Sequence, residues 1–326
     1  MTDRFKLAIL GIPPKSLIDQ LAEVQRFAEI HIAETPEQAG ALSPEIEVLF
    51  TLGHTGNWIK QHWRSFGKLR WIHSGSTGVE DILFPALQKD SVVLTNSRGA
   101  YASPLAEFVM FCVLFFAKAF PVMERNRQEH RWEDYPLKEV RRQTIGIVGF
   151  GETGQAVSRL AKAFGMRILA IKRNLLACTA KKEDEEVAQL IPGERWEELL
   201  SASDYVVNAL PLTTETLGKF GAREFSKMKM TGYFINVGRG RTVQESTLVR
   251  ALREGWIAGA GLDVCEAEPL SPDSELYSLP NVVLSPHCAD KITSSIDNVA
   301  RLFVENVRRY AKGMPLLNIV NKQIGY

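Results

Sequence analysis

The chain is short of cysteine, has no excess of charge of either sign and contains no long uninterrupted apolar run. Its four cysteines, Cys112, Cys178, Cys265 and Cys288, form no C-x-x-C pair and sit in no Cys/His cluster of zinc spacing. Neither a disulfide framework nor a metal site is expected, and reduced thiols suit a cytoplasmic protein. Lys and Arg number 39 against 38 Asp and Glu, a net charge of +1. That balance supplies no basic field for nucleic acid and no polybasic tail for a membrane surface. The apolar stretch from Phe108 to Phe116 is closed by Lys118, far short of the ~20 residues that span a bilayer. The start, MTDRFKLAILGI, has a short apolar run without a small-residue cleavage site and reads as a first β-strand. Internal repeats are lacking, and the charged run Lys181–Glu186 reads as a solvated face or loop.

What is present is alternation. At 326 residues and 45% hydrophobic content, the chain is long enough for about two domains with sizeable cores. Apolar runs at Lys6–Leu10, Ile30–Ile32, Val48–Leu52, Trp71–His73 and Val92–Thr95 predict short strands. Between the first two, Leu17, Ile18, Leu21, Val24 and Phe27 recur at helical spacing. A second series starts at Thr144, with strands expected at Thr144–Gly149, Arg167–Ile171, Tyr205–Leu210, Tyr233–Val237, Ala260–Val264 and Val282–Leu284. Six strands match a complete dinucleotide-binding sheet. A helix is expected from Pro104 to about Phe120, then a charged stretch from Glu124 to Arg142. A last amphipathic helix from about Thr293 to Tyr310 places Val299, Leu302, Phe303 and Val307 on one face. The fold class predicted is α/β, with parallel sheets covered on both faces. Residues 1–100 and 291–326 form a discontinuous first domain, and residues 101–290 form a dinucleotide-binding domain inserted in it.

The strongest local motif is TIGIVGFGETGQAVSRLAKAFGMRILAIKRN. Gly149, Gly151 and Gly154 follow a strand in G-x-G-x-x-G spacing and open a helix whose inner face is Val157, Leu160, Ala161 and Phe164. The first glycine permits the tight turn, the second lets backbone approach a pyrophosphate, and the third lets helix pack on strand. Glu152 and Thr153 lie within the same turn, where free N–H groups favour an anion. An acid that would bond the ribose 2′-hydroxyl is missing at the tip of the next strand, which reads Lys172-Arg173-Asn174. Two cations there could pair with a 2′-phosphate, so NADPH is expected over NADH, with NADH possible. The bland alternative is that both are ordinary exposed cations.

Three side chains at or just beyond strand-like runs complete the pattern: Arg239 in NVGRG, Glu268 in DVCEAEP and His287 in LSPHCAD. Hydride addition to a carbonyl leaves negative charge on its oxygen, which an imidazolium can neutralise by giving up a proton. A carboxylate beside it stabilises the charged imidazole. A guanidinium can grip the substrate acid and polarise the ketone with a geometry lysine cannot copy. Taken singly, the three read as a surface ion pair, a solvated loop acid and a turn residue.

The segments STGVED, GFGETG…FGM, LPLTTET, NVGRG, GAGLDVCEAEP and SPHCAD occur in one order over nearly the whole chain. In this the chain resembles the D-isomer-specific 2-hydroxyacid dehydrogenase family, most in the manner of its glyoxylate/hydroxypyruvate reductase-like members. The resemblance implies a flavodoxin-like substrate domain, an inserted Rossmann cofactor domain, an intervening cleft and a homodimer. It assigns substrate binding to Arg239, the catalytic carboxylate to Glu268 and proton transfer to His287. Backbone at Thr77 and Gly78 would hold the substrate acid. Leu210 and Pro211 would line the cofactor site, Val237 and Gly238 would approach the nicotinamide through backbone, and Asp263 would lie near its carboxamide. Tyr101 touches substrate or packs between domains; both readings stay open. Asp290 alters the pocket's polarity or, the favoured reading, caps the last helix. The activity implied is NADPH-dependent reduction of a small 2-oxo acid to the D-2-hydroxy acid. The family's corepressor branch keeps a similar triad, so a dinucleotide-sensing scaffold with little turnover is the alternative.

Overall fold

A computed structural model describes residues 4–172 and 188–326. Arg173, Asn174 and the run Lys181–Glu186 lie outside the described residues. The chain divides into two compact units, one ending at Tyr101 and resuming as Lys291–Tyr326, the other Ala102–Asp290.

The first unit is built on five parallel strands, β1 (Phe5–Leu10), β2 (Ala28–Ala33), β3 (Val48–Thr51), β4 (Trp71–Ser74) and β5 (Val93–Asn96). Their order is β2-β1-β3-β4-β5, a flavodoxin-like arrangement. All four residues of β3 and of β4 are buried, as a parallel sheet covered on both faces requires. One face packs Leu7, Leu17, Leu21, Phe50 and Trp71 against Val299, Ala300, Phe303 and Val307 of the helix Thr293–Ala311. Phe50 and Phe303 stack with ring centroids 4.1 Å apart. The C-terminal segment is therefore core material for a unit begun almost 300 residues earlier. Leu302, expected on that face, stays at its margin, and Val304 takes the buried position. The first helix spans Lys15–Leu21 and tightens into a 3₁₀ turn over Ala22–Arg26.

The second unit carries seven parallel strands: β6 (Thr144–Val148), β7 (Arg167–Ile171), β8 (Gln189–Ile191), β9 (Tyr205–Asn208), β10 (Tyr233–Asn236), β11 (Gly259–Leu262) and β12 (Val282–Leu284). Their order is β12-β11-β10-β9-β6-β7-β8. The strand order reverses between β6 and β9, the switch point at which doubly wound sheets bind ligands. Strand β8 is a seventh where six were expected. On one face, Val109, Cys112, Val113 and Phe116 of the helix Ala102–Ala117 pack with Ile145, Ile147, Val157 and Ala161. On the other, Leu199, Phe220, Phe225, Phe234 and Leu248 form a separate core. Phe164, expected on the inner face of the helix Glu152–Ala163, is instead 40% exposed. The helix ends at Ala163, so the side chain of Phe164 no longer follows the buried stripe.

The helix expected to run to Phe120 stops at Ala117. Ala119 takes a left-handed conformation (φ 48°), and a second helix, Phe120–Gln128, leaves at 62° where a charged stretch was expected. Among the described residues no single helix is long and apolar enough to cross a membrane.

Candidate active site

The glycine turn after β6 obeys the geometry its spacing implies. Gly149 sits at φ 102°, and a Cβ on it would lie 2.7 Å from the Ala209 carbonyl oxygen. A Cβ on Gly154 would lie 2.3 Å from the Gly149 carbonyl oxygen, so the helix meets the turn at backbone contact. Gly151 is the exception, since a Cβ there would meet nothing within 4 Å. That open side adjoins the first turn of the helix Glu152–Ala163, whose N–H groups, including those of Thr153 and Gly154, have no carbonyl within the helix. Open space beside unsatisfied donors fits the pyrophosphate of a dinucleotide. Lys172, at the end of β7, is half-buried.

Two buried asparagines end β9 and β10 and shape the next loops. Asn208 Nδ2 donates to Asn236 Oδ1 (3.0 Å) and to Thr242 Oγ1 (2.7 Å). Asn208 Oδ1 accepts from Leu210 N (3.2 Å), and Asn236 Oδ1 accepts from Gly238 N (3.1 Å). Thr242 Oγ1 donates to the Arg239 carbonyl (2.6 Å). The backbones that carry Leu210, Pro211, Val237, Gly238 and Arg239 are thus fixed by one buried network. Gly238 has no room for a Cβ, which would lie 2.7 Å from the Leu210 carbonyl oxygen. At Gly240 a Cβ would lie 1.7 Å from the Cys265 carbonyl oxygen, so the Arg239 loop is pressed against the segment leading to Glu268. Arg239 Nη1 donates to the Gly238 carbonyl (2.8 Å).

Asp263 follows β11 and is 1% exposed. Its Oδ1 accepts from Ser285 Oγ (2.7 Å), Cys288 N (3.0 Å) and Ala289 N (3.0 Å). Its carbonyl accepts from His287 N (2.8 Å). These bonds tie the Ser285–Ala289 turn to β11 and hold His287 at φ 50°, a conformation uncommon for a non-glycine residue. From that turn His287 Nδ1 meets Glu268 Oε2 at 2.6 Å. Glu268 Oε1 accepts from Cys265 N at 3.0 Å, which fixes the carboxylate. Both side chains remain open to solvent, at 44% for His287 and 38% for Glu268. Burial, aided by the neighbouring carboxylates Glu245, Glu268 and Asp263, pushes the Cys265 thiol up to about 12. Burial, aided by Asp263, does the same to Cys112. Both thiols therefore stay protonated at neutral pH.

The remaining residues fall as follows. Thr77 and Gly78 lie on the loop after β4 in the first unit, with Thr77 exposed. The Tyr101 hydroxyl donates to the Gly75 carbonyl at the root of that loop. Asp290 does not cap the last helix: the helix starts at Thr293, its N-cap position is Ile292, and no side chain bonds there. Asp290 stands two residues before that N-cap position, so its side chain is not the one at the helix start. Sequence reasoning missed Asn208, Asn236, Thr242 and Ser285. Their one signal is position, since three of them are polar residues at or just past the ends of apolar strands.

A doubly wound parallel sheet, a glycine turn open to a pyrophosphate and an imidazole–carboxylate pair at its strand ends define a nicotinamide-dinucleotide oxidoreductase. The family model for the NAD-binding domain of D-isomer specific 2-hydroxyacid dehydrogenases matches residues 110–289, and the chain belongs to that family. It is 37% identical over 268 residues to a glyoxylate reductase of Thermococcus gammatolerans, covering 79% of this chain and 78% of the relative. It is 33% identical over 317 residues to the glyoxylate reductase of Thermococcus litoralis, covering 92% and 93%. An NADPH-dependent glyoxylate/hydroxypyruvate reductase from Sinorhizobium meliloti, solved with NADP and sulfate, superposes with a TM-score of 0.85 at 26% identity, over 99% of this chain and 100% of that one. The enzyme therefore uses a nicotinamide dinucleotide and acts on a small molecule.

Proposed function

We propose that this enzyme reduces small 2-oxo acids such as glyoxylate or hydroxypyruvate to D-2-hydroxy acids, with NADPH preferred. The observation that carries the reading is the 2.6 Å contact between His287 Nδ1 and Glu268 Oε2. With Nδ1–H donated to the carboxylate, His287 presents its second proton on Nε2. The Nε2 proton passes to the carbonyl oxygen of the substrate as that oxygen gains charge, and the imidazole becomes neutral. Glu268, held by the Cys265 N–H, keeps the ring oriented. The Arg239 guanidinium matches a carboxylate in shape and polarises the adjacent ketone. A dinucleotide held at the glycine turn would supply the hydride for the carbonyl carbon.

The names of the relatives support the substrate class, and the lack of an acid after Ile171 supports the cofactor preference. Lys172, with Arg173 beyond it, would pair with a 2′-phosphate. The reading includes a homodimer, supported by exposed Phe111, Phe120 and Met123 on neighbouring helices of the second unit; sedimentation velocity gives the mass that decides it. The functional test is a panel of 2-oxo acids with NADPH and NADH, followed by absorbance. A higher kcat/KM with NADPH on glyoxylate or hydroxypyruvate is expected. Oxidation of neither cofactor by any 2-oxo acid would refute the proposal in favour of a dinucleotide-sensing role.

A further inference from the structure

Four consecutive carbonyl groups, running from the last residue of β4 into the loop after it, all bond to one short segment. The Ser74 carbonyl accepts from Ser97 Oγ (2.9 Å), that of Gly75 from the Tyr101 hydroxyl, that of Ser76 from Ser97 N (3.1 Å) and that of Thr77 from Asn96 Nδ2 (2.7 Å). By contrast, among the described residues no hydrogen bond is made by the N–H groups of Thr77 and Gly78. Backbone with its carbonyls bonded behind it and its N–H groups in front makes a concavity for an anion.

The segment that does the holding is itself held. Trp71 Nε1–H donates to Thr95 Oγ1 (2.8 Å), and Thr95 Oγ1 lies 2.7 Å from His73 Nδ1. The Thr95 hydroxyl hydrogen goes to that nitrogen, since its alternative, the Ile72 carbonyl, is 3.5 Å away. His73 Nε2–H then donates to Ser97 Oγ (3.3 Å), and Ser97 donates to the Ser74 carbonyl. A neutral imidazole protonated on Nε2 satisfies every member of this chain. Burial keeps His73 neutral by pushing it down to about 3. From the other side, Asn318 Nδ2 donates to the carbonyls of Asn96 (3.3 Å) and Arg98 (2.9 Å). Ser97 is fully buried and Asn96 is 4% exposed, so neither touches a substrate directly.

We infer that Asn96 and Ser97 are positioning residues for substrate: by fixing the carbonyls of residues 74–77 they hold the Thr77 and Gly78 N–H groups ready for the substrate carboxylate. Tyr101 belongs to the same clasp through Gly75. The inference rests on the 2-oxo acid reading above.

The test uses Asn96→Asp, Ser97→Ala and Ser97→Thr in the full chain. Two readouts are steady-state reduction of glyoxylate and calorimetric binding of oxamate to the NADP-saturated protein. Asn96→Asp keeps an acceptor for Arg98 N–H, now 3.3 Å from Asn96 Oδ1, but sets an oxygen against the Thr77 carbonyl. KM for glyoxylate and Kd for oxamate should rise together by about tenfold or more, the loss of roughly one hydrogen bond. The kcat and the NADPH Kd should stay within about twofold, since cofactor and proton donor lie on the other unit. Ser97→Ala should move the same way, and Ser97→Thr, which keeps the hydroxyl, should restore binding. Oxamate affinity unchanged in Ser97→Ala and in any folded Asn96→Asp protein overturns the inference, as does wild-type protein that binds no oxamate. If the wild type binds oxamate but reduces no 2-oxo acid, the functional reading fails while weakened oxamate binding in the variants still upholds the clasp.

Discussion

Asp263→Asn separates a carboxylate that organises the proton donor from one that merely contacts the cofactor. The aspartate Oδ1 accepts three hydrogen bonds from the turn bearing His287. Bonds to an ionised acceptor contribute about 1.5–3 kcal/mol each, against about 1 kcal/mol for neutral ones. Asparagine keeps Oδ1 and loses the charge, so the three bonds together weaken by about 2–3 kcal/mol after allowing for non-additivity. That is comparable to the ~1–2 kcal/mol that opposes a left-handed backbone at a non-glycine residue, here His287 at φ 50°. The turn then samples conformations in which Nδ1 leaves Glu268. A misplacement of ~1 Å can cost ~100-fold in rate, so kcat should fall by about 10–100-fold. The Tm should drop by about 4–12 °C for a unit of this size. Steady-state kinetics with varied NADPH and varied 2-oxo acid, beside fluorescence titration of NADPH, make the assay. A kcat within about threefold of wild type, with the loss confined to the KM for NADPH, would show that Asp263 serves the cofactor alone.

His287→Ala should lower kcat by about 10²–10⁴-fold while NADPH binding, read by fluorescence, stays intact; unchanged kcat removes His287 from the mechanism. Gly240→Ala forces a Cβ to 1.7 Å from the Cys265 carbonyl oxygen. Backbone on both sides must move, so thermal melting should show a loss of more than about 3 kcal/mol, and a neutral effect would refute the contact. His73 gives a pH signature. Its folded value is pushed down to about 3 from 6.5, so the unfolded chain takes the proton first as pH falls. The stability it contributes is complete above about pH 6.5 and is lost toward pH 3, at up to ~1.4 kcal/mol per pH unit. Urea midpoints measured between pH 7 and 4.5 should therefore fall less steeply in His73→Asn than in wild type, and equal slopes count against the reading.

Elements whose residues must be apolar, or must be glycine, were legible from the chain alone. The strands of both sheets announce themselves because parallel strands covered on both faces can hardly be anything but apolar. Gly149 and Gly154 announce themselves because no side chain fits. Strand β8 did not, since three residues beginning with an exposed Gln carry no period. The break at Ala119 did not either, because alanine is an unexpected occupant of a left-handed position and gives no local warning. Asp290 misled for the opposite reason: a residue well suited to capping stands three positions before a helix that starts uncapped by any side chain.

The site residues divide by the same logic. Arg239, Glu268 and His287 could be read as chemistry, because their side chains have few other uses in that company. The residues that aim them could not, because a polar side chain does not declare its partner. Yet they share a position. Ser74 and Asn96 end β4 and β5, Asn208 and Asn236 end β9 and β10, and Asp263 directly follows β11. Each is buried, and each bonds backbone of the following loop or of a neighbouring one. A sheet rises about 3.3 Å per residue with its side chains fixed to alternate faces, so the last polar residue of a buried strand is the most rigid donor or acceptor a loop can reach. Loop residues then supply reactivity, while strand-final residues supply the geometry that makes it usable. On that argument, substitutions at Asn208 and Asn236 should damage Arg239 function more than substitutions at exposed residues nearer to it in sequence, such as Arg241.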